Sequence, residues 1–183
     1  PGSLRCLVAC FSDPSVGVAS GELVIRAGRR PDENSTGLYW RYESWIRRAL
    51  SRRDSLLGAT GPFYAIRREL AAPIPPDILL DDVYLPMTAV LKGFRSVLAE
   101  DAVACDFPAS IHAEFWRKLR TQAGVYQLLR ALPSLLGPRN RLWPAFWSLK
   151  IGRLLLPYLL AVFLVSTLGL PFPAALAQAP ISW

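Results

Sequence analysis

No aspartate or glutamate occurs after Glu114. Residues 1–114 hold 13 Lys/Arg against 14 Asp/Glu, whereas residues 115–183 hold 8 Lys/Arg and no acid, so the net charge of +7 arises in the C-terminal third. The cations there run directly into an uncharged apolar segment, which favours a membrane surface and sets nucleic acid aside as a partner. Histidine is nearly missing as well. His112 stands alone near Glu114, and one imidazole supplies neither a metal set nor a triad, so it is assigned no role. The three cysteines, Cys6, Cys10 and Cys105, are an odd number without metal-ligand spacing; buried, reduced thiols in a reducing, cytoplasmic compartment are expected. An initiator methionine and a basic-apolar leader are lacking too, and Pro1-Gly2-Ser3 stands immediately before an apolar run. The expectation is a fragment whose preceding part carries half of an active site.

Apolar residues are what the chain has in excess. A length of 183 residues suffices for one domain with a real core, and 52% hydrophobic content exceeds what such a core alone requires. Ser3 is expected to cap a short helix over residues 4–11. Two β-type runs, 16–19 and 23–25, are separated by Ser20-Gly21-Glu22, where glycine permits a turn or a close backbone approach. Residues 28–36 read as a surface loop. A helix over 38–53 carries Leu38, Tyr42, Trp45, Ile46 and Ala49 on one stripe, with Arg41, Arg47, Arg48 and Arg52 read as a solvated face. Beyond it come a small-residue turn, an aromatic strand over 63–67, and a stiff approach through Pro73, Pro75 and Pro76 to a helix ended by Gly93. Strands at 94–98 and 102–105 flank an acidic turn at Glu100-Asp101, and Ser110 opens a helix over 111–132. This alternation is the signature of an α/β sandwich.

The chemistry centres on Asp81 and Asp82, at the point where an apolar run gives way to a helix. One carboxylate there is a cap accepting backbone N–H bonds. A second adds like-charge repulsion, which raises a pKa and opens the way to a general base. Gly58, Ala59, Thr60 and Gly61 form a turn whose glycines either bring backbone N–H groups to a ligand or simply reverse the chain. On the long helix Arg117 and Arg120 lie three residues apart with Gly124 one turn on, so the two guanidiniums project to a common side. They are either an anion clamp suited to a diphosphate or solvated helix arginines.

Residues 133–153 mix Trp143, Phe146, Trp147 and Leu149 with Arg139, Arg141, Lys150 and Arg153, a pattern suited to an amphipathic segment in the lipid headgroup region. Residues 154–183 carry no charge, and with Ile151 and a snorkelling Arg153 the run 154–170 reaches the roughly 20 residues that span a bilayer. Its basic N-terminal flank places that side in the cytoplasm. Residues 174–183 are either the start of another span or a tail.

These residues together resemble the C-terminal half of a membrane-integrated family 2 glycosyltransferase, related to cellulose and hyaluronan synthases. The resemblance covers most of residues 1–170. It rests on Phe11-Ser12-Asp13-Pro14-Ser15-Val16-Gly17 with Ser20-Gly21, Gly58-Ala59-Thr60-Gly61-Pro62-Phe63-Tyr64-Ala65-Ile66-Arg67, Asp81-Asp82, and Arg117-Lys118-Leu119-Arg120-Thr121, in that order ahead of a membrane helix. It implies the C-terminal part of a GT-A-type sandwich over 1–132, an interfacial segment over 133–153, and a transmembrane helix with a further segment or tail over 154–183. It implies inverting transfer from a nucleotide-sugar donor to a glycan or lipid-linked acceptor at the inner face of the plasma membrane. Asp82 matches the family's general base, with Asp81 beside it; residues 58–61 match an acceptor lip. Arg120 matches the arginine of the family's Gln-x-x-Arg-Trp motif at the donor diphosphate. Arg117 stands where that motif has Gln, and Thr121 where it has Trp, so the stacking surface for an acceptor sugar is absent at that position. A divalent metal, Mg or Mn, is implied for the full-length enzyme, but the family's Asp-x-Asp ligands and uridine-binding acids are not in this chain. A non-catalytic, membrane-anchored scaffold or remnant and a single-sugar transferase to a polyprenyl carrier are the alternatives.

Overall fold

Val18, Ala19 and Ser20 are consecutive and all fully buried, which only a strand covered on both faces allows. In the computed structural model, which describes residues 2–25, 37–106 and 111–169, they lie on β1 (Val16–Ile25), the middle of a three-stranded sheet of order β2-β1-β3. β2 (Tyr64–Ile66) pairs antiparallel with β1, and β3 (Arg95–Asp106) pairs parallel with it. On one face Ala19 packs with Leu7 of α1 (Gly2–Ala9) and with Ala99 and Ala102 of β3. On the other, Val18 meets Ala59, Leu70 and Ala89, the last on α3 (Asp81–Leu91). The mixed α/β class is as expected.

The strands differ from expectation in one respect. Neither Ser20-Gly21-Glu22 nor Glu100-Asp101 turns the chain: β1 and β3 each run straight through. The register jumps from Gly21↔Ala99 to Glu22↔Val103, so residues 100–102 bulge from β3 while the pairing continues on either side. Gly21 is needed for close approach, because a Cβ there would lie 2.7 Å from the Ala102 carbonyl. At the N-terminus α1 already includes Ser3, which is therefore inside the first turn and not its cap. Cys6 and Cys10 are half-buried free thiols, but Cys105 is exposed, contrary to the expectation of three buried ones.

α2 (Gly37–Arg53) forms where its apolar periodicity placed it, yet the stripe is not its buried face. Leu38, Tyr42 and Trp45 are exposed and Ile46 is buried. Arg48 and Arg52 pair with Glu22 and Glu100 over the sheet's edge, at 2.6 and 3.1 Å. The larger core lies below, where Met87 and Val90 of α3 meet Val125 and Leu128 of α4 (Ile111–Ala131).

Residues 133–153 do not form a single helix. A 3-10 turn (Pro133–Leu136), the short helix α5 (Trp143–Phe146) and a π-helical turn (Trp147–Ile151) carry Leu135, Leu142, Phe146 and Ile151 into the core under α3. Arg141, expected among the headgroup cations, instead pairs with Asp54 at 2.7 Å and donates to the Phe94 carbonyl at 2.6 Å. These four residues gain burial in a close-packed core, while Trp143 and Trp147 of the same segment stay exposed. α6 (Gly152–Gly169) then continues from the π turn, with residues such as Phe163 and Val165 about 70% exposed. The stretch Trp143–Thr167 is the one helix among the described residues long and apolar enough to cross a membrane.

Phe146 is fully buried and joins this connector to α3. Phe146→Ala should lower unfolding stability by about 3–5 kcal/mol, read from denaturant curves of the protein in detergent.

Candidate active site at the start of α3

Leu80 and Val83 are buried in the lower core, and they set the exposure of the two acids between them. Asp81 points to solvent; Asp82 is half-buried. The residue in the N-cap position is Leu80, with no side-chain cap bond, so the capping reading does not account for the pair.

The turn at 58–61 lies directly on Asp82. The Ala59 N–H donates to the Asp82 carbonyl at 2.7 Å, and a Cβ on Gly61 would stand 3.3 Å from the Asp82 carboxylate oxygen Oδ2. Of the four residues expected to meet an acceptor, Ala59 and Thr60 are buried, and their N–H groups are spent inside the protein, on Asp82 and on Ser20 Oγ. Gly61 is the exposed member.

Thr60 ties this turn to the sheet. Its hydroxyl donates to the Gly21 carbonyl at 2.8 Å, and its N–H donates to Ser20 Oγ, also at 2.8 Å. Arg47 completes the node, donating to Thr60 Oγ1 at 2.8 Å and to Ser20 Oγ at 3.0 Å. Arg47 is thus not part of a solvated face. It turns inward, next to buried Ile46 and one turn from Glu43, whose carboxylate pairs with Arg153 of α6. The legible signal was the row Glu43, Arg47, Leu50 at helical spacing, which runs along the buried side.

Burial of the Asp82 carboxyl pushes its pKa up; the Lys150 cation opposes this, Asp81 adds to it, and its own backbone N–H and Arg47 oppose it. Tyr64 on β2 faces the same acids: its phenol is pushed up by burial and then by Asp81 and Asp82. The Lys150 and Arg47 cations both act to lower the Asp82 pKa.

Arg117 and Arg120 lie on the exposed first half of α4. Lower on that helix a Cβ on Gly124 would stand 2.5 Å from Leu80 Cγ, and Gln127 Oε1 accepts the Leu79 N–H at 3.2 Å. Arg120, Gly124 and Gln127 share a face, so Arg120 sits about 6 Å along the axis from the contact with Leu80, on the side of the helix that meets the approach to Asp81. Arg117 lies one turn further out. His112 accepts a bond from Trp116 Nε1 at 3.1 Å on the same helix.

Among the described residues no three His, Cys, Asp or Glu side chains gather into a ligand set for a divalent cation.

No family model matches the chain, and no curated protein matches it in sequence. Among solved structures it is similar to the mannosyltransferase PcManGT from Pyrobaculum calidifontis, solved in complex with GDP-Man and Mn2+. The likeness has a TM-score of 0.60 at 20% identity and covers 90% of this chain but 46% of that one. The fold is therefore similar to that of a glycosyltransferase, and this chain spans about half the length of its structural neighbour.

Two measurements test the site's energetics. Thr60→Val strips a hydrogen-bond partner from the half-buried Arg47 guanidinium and should cost about 1–3 kcal/mol in unfolding, with Thr60→Ser close to the parent. A carboxyl whose pKa folding raises contributes stability that is full below its unfolded value and lost as pH rises through the folded one. Asp82→Asn should therefore melt above the parent at neutral pH, and the difference should shrink as pH falls toward the acid range.

Proposed function

We propose that this chain is the acceptor-side half of a membrane-anchored, inverting family 2 glycosyltransferase, with Asp82 as its general base. The observation that carries the reading is the half-buried Asp82 carboxylate beneath the exposed Gly61 of the 58–61 turn, in a fold similar to that of a transferase solved with a nucleotide sugar. An acceptor hydroxyl is a poor nucleophile until a proton leaves it. Asp82 takes that proton as the acceptor oxygen bonds to the anomeric carbon of the donor sugar. The bond from that carbon to the diphosphate breaks with inversion, and the nucleoside diphosphate departs with the electron pair. Arg120, seconded by Arg117, offsets the negative charge that develops on the leaving group. Gly61, with its neighbours Gly58, Ala59 and Thr60, shapes the acceptor's path to Asp82, and Asp81 orients it.

Nucleotide and metal ligands belong in this reading to the part of the enzyme outside this chain. The neighbour's Mn2+ supports a divalent metal for the whole enzyme. α6 crosses the plasma membrane, with the basic connector and the catalytic residues on the cytoplasmic side. The acceptor is a growing glycan or a lipid-linked sugar drawn from that surface.

In the full-length enzyme, Asp82→Asn should lower transfer by on the order of 10²–10⁴-fold while donor nucleotide binding persists; retained transfer would remove Asp82 from the role. Arg120→Ala should lower kcat/KM for the donor by on the order of 100-fold, measured with donor varied at saturating acceptor. An unchanged donor response would count against the diphosphate contact.

A further inference from the structure

Arg141 pairs with Asp54 just past the C-terminal end of α2, and Arg153, further along the chain, pairs with Glu43 in its N-terminal half. Between these two ties Ala145, Ser148 and Leu149 line one cleft with Ile46, Ala49 and Leu50. The connector therefore runs antiparallel to α2, and α6 leaves the protein in the direction in which the N-terminus of α2 points. At a rise of about 1.5 Å per residue, Leu38 lies about 7.5 Å along the axis beyond Glu43, and Tyr158 lies as far beyond Arg153. Tyr158 in turn meets α4, its hydroxyl 2.8 Å from that of Tyr126. The first turns of α6 thus share their level with an exposed tyrosine of α4 and with the exposed end of α2.

That end of α2 is poorly suited to water. Leu38, Tyr42 and Trp45 recur at i, i+4 and i+7 on one stripe and are 82%, 52% and 65% exposed. The Tyr42 and Trp45 rings stack with their centroids 6.4 Å apart, so the two form one patch and not scattered single residues. The one acid of α2, Glu43, is spent on Arg153, and exposed Arg41 stands beside Tyr42. What the helix offers is apolar, aromatic and cationic, which matches the boundary between anionic headgroups and acyl chains. A glycan would need acids or amides around the rings to hold its hydroxyls. The acid that shares a cleft with Trp45, Glu22, is already engaged by Arg48 at 2.6 Å, and Leu38 offers a hydroxyl nothing.

We propose that the N-terminal half of α2 is a second membrane contact, in which Leu38, Tyr42 and Trp45 enter the headgroup layer beside the root of α6 and Arg41 reaches lipid phosphate. This contact rests on the reading of α6 as the helix that crosses the bilayer. It also bears on the site: Arg47 of the same helix holds the Ser20 and Thr60 hydroxyls, so a helix resting on lipid sets the height of the 58–61 turn above the surface.

The test uses the full-length protein in vesicles of equal parts phosphatidylcholine and phosphatidylglycerol, with its cysteines replaced by serine. A nitroxide is then attached at Leu38→Cys, Tyr42→Cys or, for the anchor, Phe163→Cys. Collisions with oxygen, which concentrates in lipid, and with a water-soluble nickel chelate report depth by electron paramagnetic resonance. The label at 163 should lie in hydrocarbon, and those at 38 and 42 about 5–10 Å into the headgroup and acyl boundary. Labels at 38 and 42 that meet nickel freely while 163 stays in lipid would overturn the contact and leave the anchor standing. A label at 163 in water would overturn the anchor, and the contact with it. Labels at 38 and 42 shielded from both reagents would mean cover by protein, such as a second copy of the chain, and shielding that comes only with added acceptor glycan would mean a sugar platform; either overturns the proposal. A second measurement keeps the native side chains: the fluorescence that Trp45→Phe removes should be quenched about twofold more by lipids brominated near the headgroup than by lipids brominated near the chain ends. A Trp45 component that neither lipid quenches would overturn the proposal.

Discussion

A carboxylate held partly out of water is the constraint on which the rest of this molecule turns. Leu80 and Val83 must both enter the core for α3 to pack, and Asp82 lies between them, under the turn at 58–61. Taking that charge from water is costly, and the positive charge of Lys150 on the π turn and Arg47 on α2 offsets only part of the cost, so the carboxyl's pKa stays raised. Each cation needs its own support. Arg47 rests on the Ser20 and Thr60 hydroxyls; the π turn rests on Ile151 in the core and on Arg153 paired with Glu43. The polar node and the apolar core thus stabilise one arrangement together.

The same arrangement explains why the connector folds inward. An interfacial helix would leave Phe146, Leu142 and Ile151 in headgroups, where they gain less than in a close-packed core. Once they are buried, α6 departs from a fixed point on the protein, and its exposed apolar side chains begin immediately beyond Leu154.

The sequence itself carried the class of the fold, the order of its elements and the acids at the head of α3. Helical spacing found α2, α3 and α4 because amphipathic period is a local property. The apolar run of α6 was equally plain, since length and lack of charge can be counted along the chain. Asp81-Asp82, the turn at 58–61 and the arginines of α4 were visible as residue types in a characteristic order, which is what carried the resemblance to glycosyltransferases.

Tertiary structure alone decided which neighbours those residues met. Two pairs of short runs became two continuous strands because cross-strand hydrogen bonds absorb a bulge that local turn propensity reads as a break. Arg47, Arg141 and Lys150 looked like surface cations, and of the three only Arg47, in the row Glu43, Arg47, Leu50, carried a local sign of burial. The partners they found, Thr60 and Ser20 for Arg47 and Asp54 for Arg141, lie 13 to 87 residues away. A local pattern names which residues can ionise; only the packed chain sets how much water each one keeps and which opposite charge it finds.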